Sequence, residues 1–96
     1  MIIYCDGQYV DEKDARISPF DHGFLYGMGL FETVRIYDGH PFLLDEHLLR
    51  LQNGLDETGI GTNVRKDKIV HIIQELLRLN HIRDARIRIN YSAGIG

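Results

Sequence analysis

The run Asp21–Gly54, DHGFLYGMGLFETVRIYDGHPFLLDEHLLRLQNG, decides how the chain folds. Glycines at 23, 27 and 29 open it, and large apolar residues (Phe24, Leu25, Tyr26, Met28) sit between them. A flexible linker would not carry those side chains, so the spacing predicts a packed loop with one helical turn. Leu30 to Tyr37 alternates, with Leu30, Glu32, Val34 and Ile36 on one face and Phe31, Thr33, Arg35 and Tyr37 on the other. Each face mixes polar with apolar groups, so both are expected to be partly buried. Asp38-Gly39 suits a tight hairpin turn, with the return strand running through His40–Leu43. Asp45 is the expected N-cap of a helix from about Glu46 to Thr58, with Leu44 and Leu49 as a hydrophobic staple. Leu44, Leu48, Leu51 and Leu55 form a core-facing stripe along it, and His47, Arg50 and Gly54 form a second stripe beside the first. Glycine inside a helix costs about 1 kcal/mol relative to alanine. Gly54 is therefore expected to leave room for something bulky near Arg50.

Outward from that run, Asp6-Gly7 between Ile2–Cys5 and Gln8–Val10 predicts another hairpin. Asp11–Asp14 reads as a charged loop, and Arg16–Ser18 as a short strand closed by Pro19. Gly59-Ile60-Gly61 ends the first long helix. A second is predicted over Lys66–Leu79, with Ile69, Ile72, Ile73, Leu76 and Leu79 as its apolar stripe and Asn80 as its C-terminal cap. Ala85–Ser92 alternates cleanly as a strand, and Ala93–Gly96 reads as a loop cut open. Short connections and Asp-Gly turns give an α+β fold, a mainly antiparallel sheet with two helices on one face.

A chain of 96 residues is one small domain or a piece of a larger one. With 44% hydrophobic and 26% charged residues it has the composition of a globular domain. Its net charge of −3 gives no general attraction to nucleic acid or to an anionic membrane. Cys5 stands alone, which rules out an internal disulfide or a cysteine metal cage and favours the cytosol. No apolar run approaches the roughly 18 residues of a membrane span.

Chemistry is sparse when read from the residues alone. Arg50, beside an apolar stripe, could hold a phosphate through two parallel bonds, or could simply snorkel over leucines. His47 could serve a site or be a half-buried histidine bonded to backbone. Gly27-Met28-Gly29 fails as a dinucleotide fingerprint, because Glu32 stands at the third glycine position and a strand follows. The histidines are dispersed, no HExxH occurs, and Ser18, Ser92 and Cys5 lack a nucleophile context. Arg86 and Arg88 on one strand face either bind an anion or stay solvated. No metal is expected.

The ordered run Asp21-x-Gly23-x-x-x-Gly27-x-Gly29-x-Phe31-Glu32-x-x-Arg35, then Gly39, Leu43, His47 and Arg50-Leu51, goes further. It closely resembles the N-terminal domain of the class IV aminotransferases, pyridoxal-phosphate enzymes of fold type IV. The likeness extends to the closing Tyr91–Gly96 and is strongest to the family's 4-amino-4-deoxychorismate lyases. It implies a lyase that releases pyruvate and 4-aminobenzoate from a small-molecule substrate, in folate biosynthesis. A branched-chain or D-amino-acid aminotransferase, or a non-catalytic folding or dimerisation module, is the alternative. The resemblance assigns the cofactor phosphate to Arg50, with His47 and Gly54 in support. Phe31 stands where D-amino-acid enzymes place a substrate-binding tyrosine, and Arg88 matches an arginine near substrate in branched-chain enzymes. Family members are typically homodimers. The family's Schiff-base lysine matches none of Lys13, Lys66 and Lys68. Residues 1–96 are thus expected to be the small domain alone, inactive without the large lysine-bearing domain, and to self-associate through exposed apolar surface.

Overall fold

A computed structural model describes residues 1–95. The chain opens with a hairpin of β1 (Ile2–Cys5) and β2 (Gln8–Asp11). Its turn residues Asp6 and Gly7 both take positive φ, 53° and 87°, as the Asp-Gly pair requires. The charged loop closes into a short 3-10 turn at Glu12–Asp14, capped by Asp11. Arg16–Ser18 is not a strand. Arg16 instead bonds the carbonyls of Lys13 and Ala15, which folds the segment back on itself. The helical turn expected in the glycine-rich loop is α1 (His22–Tyr26), with Asp21 as its N-cap and Gly27 closing it in the left-handed region.

β3 (Gly29–Tyr37) is central. It pairs antiparallel with β4 (His40–Pro41) and with β5 (Ala85–Ser92), whose register runs from Gly29 opposite Ser92 to Ile36 opposite Ala85. The return strand is shorter than its sequence suggests, because Leu43 swings into the left-handed region at φ 54° to start α2 (Leu44–Thr58). That backbone turn replaces the expected side-chain cap. Asp45 lies inside the first turn, where it suits the helix dipole and pairs with Lys66 at 2.7 Å. Leu49 is exposed, so it forms no staple with Leu44.

The leucine stripe is buried as predicted, at Leu44, Leu48, Leu51 and Leu55. Helix α3 (Lys66–Asn80) adds Ile69, Ile73 and Leu77. Ile72, Leu76 and Leu79 are only half-buried, so the buried line of α3 is rotated toward Leu77 from the expected stripe. Val34 and Ile36 are fully buried beneath the two helices, while Phe31 and Tyr37 stay exposed. The two faces of β3 therefore differ: one is core and the other is open. Each well-buried aliphatic side chain here contributes roughly 1.5–3 kcal/mol. Between the helices, Gln52 ties the connection down, donating to the Thr62 carbonyl and accepting from Val64 N–H.

The β1–β2 ribbon forms a separate sheet and is held to α3 by Asn80. The Asn80 side chain accepts from Ile2 N–H at 2.7 Å and donates to the Ile2 carbonyl at 2.8 Å. The cap of α3 falls one residue later, at His81. Among the described residues no helix is long and apolar enough to cross a membrane.

Candidate active site

Glu32 lies on the buried face of β3, between Leu30 and Val34, and is only 7% exposed. A carboxylate there must find hydrogen-bond donors, because burying an unpaired charge is costly. Two side chains of α2 supply them from consecutive turns. Arg50 approaches edge-on: Nε donates to Oε2 at 2.9 Å and Nη2 to Oε1 at 2.6 Å. His47 lies 2.6 Å from the same Oε1 through Nδ1. An ionised carboxylate only accepts, so His47 carries its proton on Nδ1. The Arg50 bonds above all, aided by His47, hold the Glu32 carboxyl below its ordinary 4.5 against the opposing effect of burial. Glu32 in turn raises the Arg50 pKa, which keeps the guanidinium charged.

This arrangement orients the arginine. A guanidinium has five N–H donors in a plane, and Glu32 takes one from Nε and one from Nη2. The remaining edge, Nη1 and the outer Nη2 proton, faces outward on a side chain that is 72% exposed. That edge has the fork geometry for two oxygens of a phosphate or carboxylate. It opens on a shallow groove of about 400 Å³ along α2, lined by Glu46, Leu49, Asn53, Gly54 and Glu57.

Gly54 lines that groove beside Arg50, and on its sheet side it also makes room for β3. A Cβ there would sit 2.8 Å from Leu30 Cδ1, so the glycine admits Leu30 of β3 and draws α2 close to the sheet. That close approach brings His47 and Arg50 within reach of Glu32. Sequence reading named His47, Arg50 and Gly54 but missed Glu32 and Leu30, the two strand residues they meet. The signal was present as a single acid in the apolar row Leu30, Val34, Ile36.

Phe31 and Arg88 occupy the other face of the sheet. The Arg88 guanidinium stacks 3.9 Å from the Phe31 ring centroid, and its Nε donates to Asn90 Oδ1 at 3.0 Å. The five residues named from sequence thus fall into two groups, with the β3–β5 sheet between them. Among the described residues no cluster of three or more metal-ligating side chains occurs. The lysines are all exposed.

Comparison with known proteins shows the family. The chain is 54% identical over 96 residues to the aminodeoxychorismate lyase of Bacillus subtilis, covering 98% of this chain and 33% of that one. It is 46% identical over 96 residues to a provisionally named branched-chain-amino-acid aminotransferase of Methanocaldococcus jannaschii, covering 100% of this chain and 33% of the relative. Among solved structures, the branched-chain amino acid aminotransferase of Escherichia coli superposes with a TM-score of 0.85 at 27% identity, over 97% of this chain and 33% of that one. The chain spans about a third of the length of these relatives. The family model for class IV amino-transferases matches residues 29–96, and the chain belongs to that family.

Proposed function

We propose that this chain is the phosphate-anchoring small domain of a pyridoxal-phosphate-dependent 4-amino-4-deoxychorismate lyase. The observation that carries the reading is the outward edge of Arg50, aimed by Glu32 and free to take two anionic oxygens. The donor set fits a phosphate: one permanent cation in a fixed plane, on a helix drawn tight against the sheet. When bound, the cofactor supplies the electron sink of the reaction. Within this chain, Arg50 binds the phosphate, Glu32 holds Arg50, His47 holds Glu32, and the Phe31–Arg88 pair forms an apolar and cationic wall for substrate. The similarity to the Bacillus subtilis enzyme supports a lyase over a transaminase. The reading includes a cytosolic homodimer. The exposed Phe20, Phe24 and Tyr26 support such an assembly, since a monomer gains nothing by leaving them in water.

The test is a protein of full family length incubated with 4-amino-4-deoxychorismate. Release of 4-aminobenzoate and pyruvate is expected, and Arg50→Ala should lower pyridoxal phosphate affinity by roughly tenfold or more. The Methanocaldococcus jannaschii relative favours a second reading, transamination of a branched-chain amino acid. Amino transfer without 4-aminobenzoate would establish it. Unchanged cofactor affinity in Arg50→Ala would remove the phosphate assignment from both.

A further inference from the structure

Segment 20–28 combines two properties that usually exclude each other. Phe20, Phe24 and Tyr26 are each more than two-thirds exposed, yet the backbone that carries them is closely bonded. Asp21 is the centre of that bonding. Its Oδ1 accepts from Gly23 N–H at 2.7 Å, and its Oδ2 accepts from Ser92 Oγ at 2.9 Å. The Ser92 hydroxyl also accepts from Gly94 N–H at 3.2 Å. Backbone bonds close the ring: His22 N–H to the Gly94 carbonyl at 2.7 Å, and Ala93 N–H to the Met28 carbonyl at 3.0 Å. Nothing larger than glycine fits at 23, where a Cβ would lie 2.8 Å from both Asp21 Oδ1 and Ser92 Cβ. The segment is a clasp on the end of β5.

The position of the clasp gives it a role. Ser92 alternates with Arg88 and Asn90 on the exposed face of β5, and its partner Gly29 forms the last rung of the ladder, two residues from Phe31. By holding Ser92, Asp21 plants α1 at the rim of the face that carries the Phe31–Arg88 pair. We propose that Asp21 is a positioning residue: through Ser92 it fixes α1 as the end wall of that face and so sets how far the substrate's remote end can extend. This rests on the reading of that face as the substrate side.

Three substitutions separate the clasp from the cap. Ser92→Ala removes the clasp and keeps the cap of α1. Asp21→Ala removes both. Asp21→Asn keeps both, because its Oδ1 still accepts from Gly23 N–H and its Nδ2 can donate to the Ser92 hydroxyl. In the holoenzyme, Ser92→Ala and Asp21→Ala are expected to raise KM for 4-amino-4-deoxychorismate about tenfold, as loss of a charge-assisted bond would, with kcat and cofactor affinity unchanged and Asp21→Asn close to wild type. Hydrogen exchange on the same preparations should show the amides of His22 and Ala93 opening together, about tenfold faster in Ser92→Ala and unchanged in Asp21→Asn. An unchanged KM in Ser92→Ala overturns the proposal, as does an Asp21→Asn enzyme as impaired as Asp21→Ala. If the wild type shows no lyase activity, the functional reading fails by itself. The clasp is then judged on exchange, and unaltered exchange at His22 and Ala93 in Ser92→Ala overturns it.

Discussion

Glu32 and Arg50 meet through two parallel hydrogen bonds, 2.9 Å and 2.6 Å long, between a buried strand carboxylate and an exposed helix guanidinium. The acid is structural and the base is outward-facing, so the pair transmits the rigidity of the sheet to a cation at the surface.

Replacing the acid tests that transmission. Glu32→Gln keeps the volume but presents an amide N–H₂ toward donors, so at least one bond to Arg50 or His47 is lost in a buried setting. Such losses cost about 1–3 kcal/mol. The urea midpoint of the variant is expected to fall by that equivalent, and anion affinity at Arg50 to fall with it.

The same carboxyl predicts a pH dependence. Its folded pKa is lowered from 4.5 by the Arg50 bonds first and the His47 bond second. The stability it contributes is therefore present above the unfolded value and is lost as pH falls through the folded one. Urea unfolding of wild type and Glu32→Gln should differ most at neutral pH and converge below 4.5. A difference that stays constant into acid would show that folding does not lower the Glu32 pKa.

At Arg50, lysine and alanine should behave differently. Lysine restores charge but not the planar fork. Arg50→Lys is expected to recover part of the stability lost in Arg50→Ala, while recovering little of the bidentate anion binding. Equal recovery of both in calorimetric titration with a phosphate ester would mean that charge alone matters there.

Gly54→Ala sets helix propensity against packing. Alanine gains about 1 kcal/mol of propensity. Its Cβ must displace Leu30 Cδ1, which would lie 2.8 Å away, and overpacking costs about 1–3 kcal/mol. A net loss of stability is expected, and Leu30→Ala should relieve it, so the double mutant is more stable than the sum of the singles implies.

No lysine of the 96-residue chain is placed to hold an aldehyde cofactor in a dry pocket. Lys13, Lys66 and Lys68 are all exposed, and Lys66 is paired with Asp45. Borohydride treatment of the chain with pyridoxal phosphate should give, by mass spectrometry, only low labelling spread over these lysines. Stoichiometric modification of one of them would contradict this.

Both Asp-Gly turns and the leucine stripe were legible because each depends on local chemistry: positive φ at two adjacent residues, or a 3.6-residue period. The strand over Ala85–Ser92 was legible for the same reason, since one face of it is core. What sequence missed depends on partners distant in the chain. Glu32 reads as one polar residue in a mixed strand until α2 is laid across it. The contact of Gly54 with Leu30 shows only once α2 is packed on β3. The start of α2 is set by a left-handed Leu43, which no capping rule anticipates. Asn80 reads as a cap, and its amide does donate to the Leu76 carbonyl of its own helix, but it also ties down Ile2. His47 and Arg50 were identifiable as a face but not as a pair converging on one acid.

The ladder between β3 and β5 also governs the order in which the molecule can assemble. Glu32 and Arg50 are 18 residues apart, and a single strand-to-helix closure joins them. Asp21 and Ser92 are 71 apart, with both long helices between them. Closing the longer loop costs more chain entropy, and non-local strand pairing is slow. A chain emerging from the ribosome can therefore complete the Arg50 corner while β5 is still being made. The outer face, with Phe31, Arg88 and the Asp21 clasp, comes into being only when the last strand arrives. The Arg50 corner and the outer face are thus acquired in that order during folding, the first by a strand-to-helix contact and the second by strand pairing.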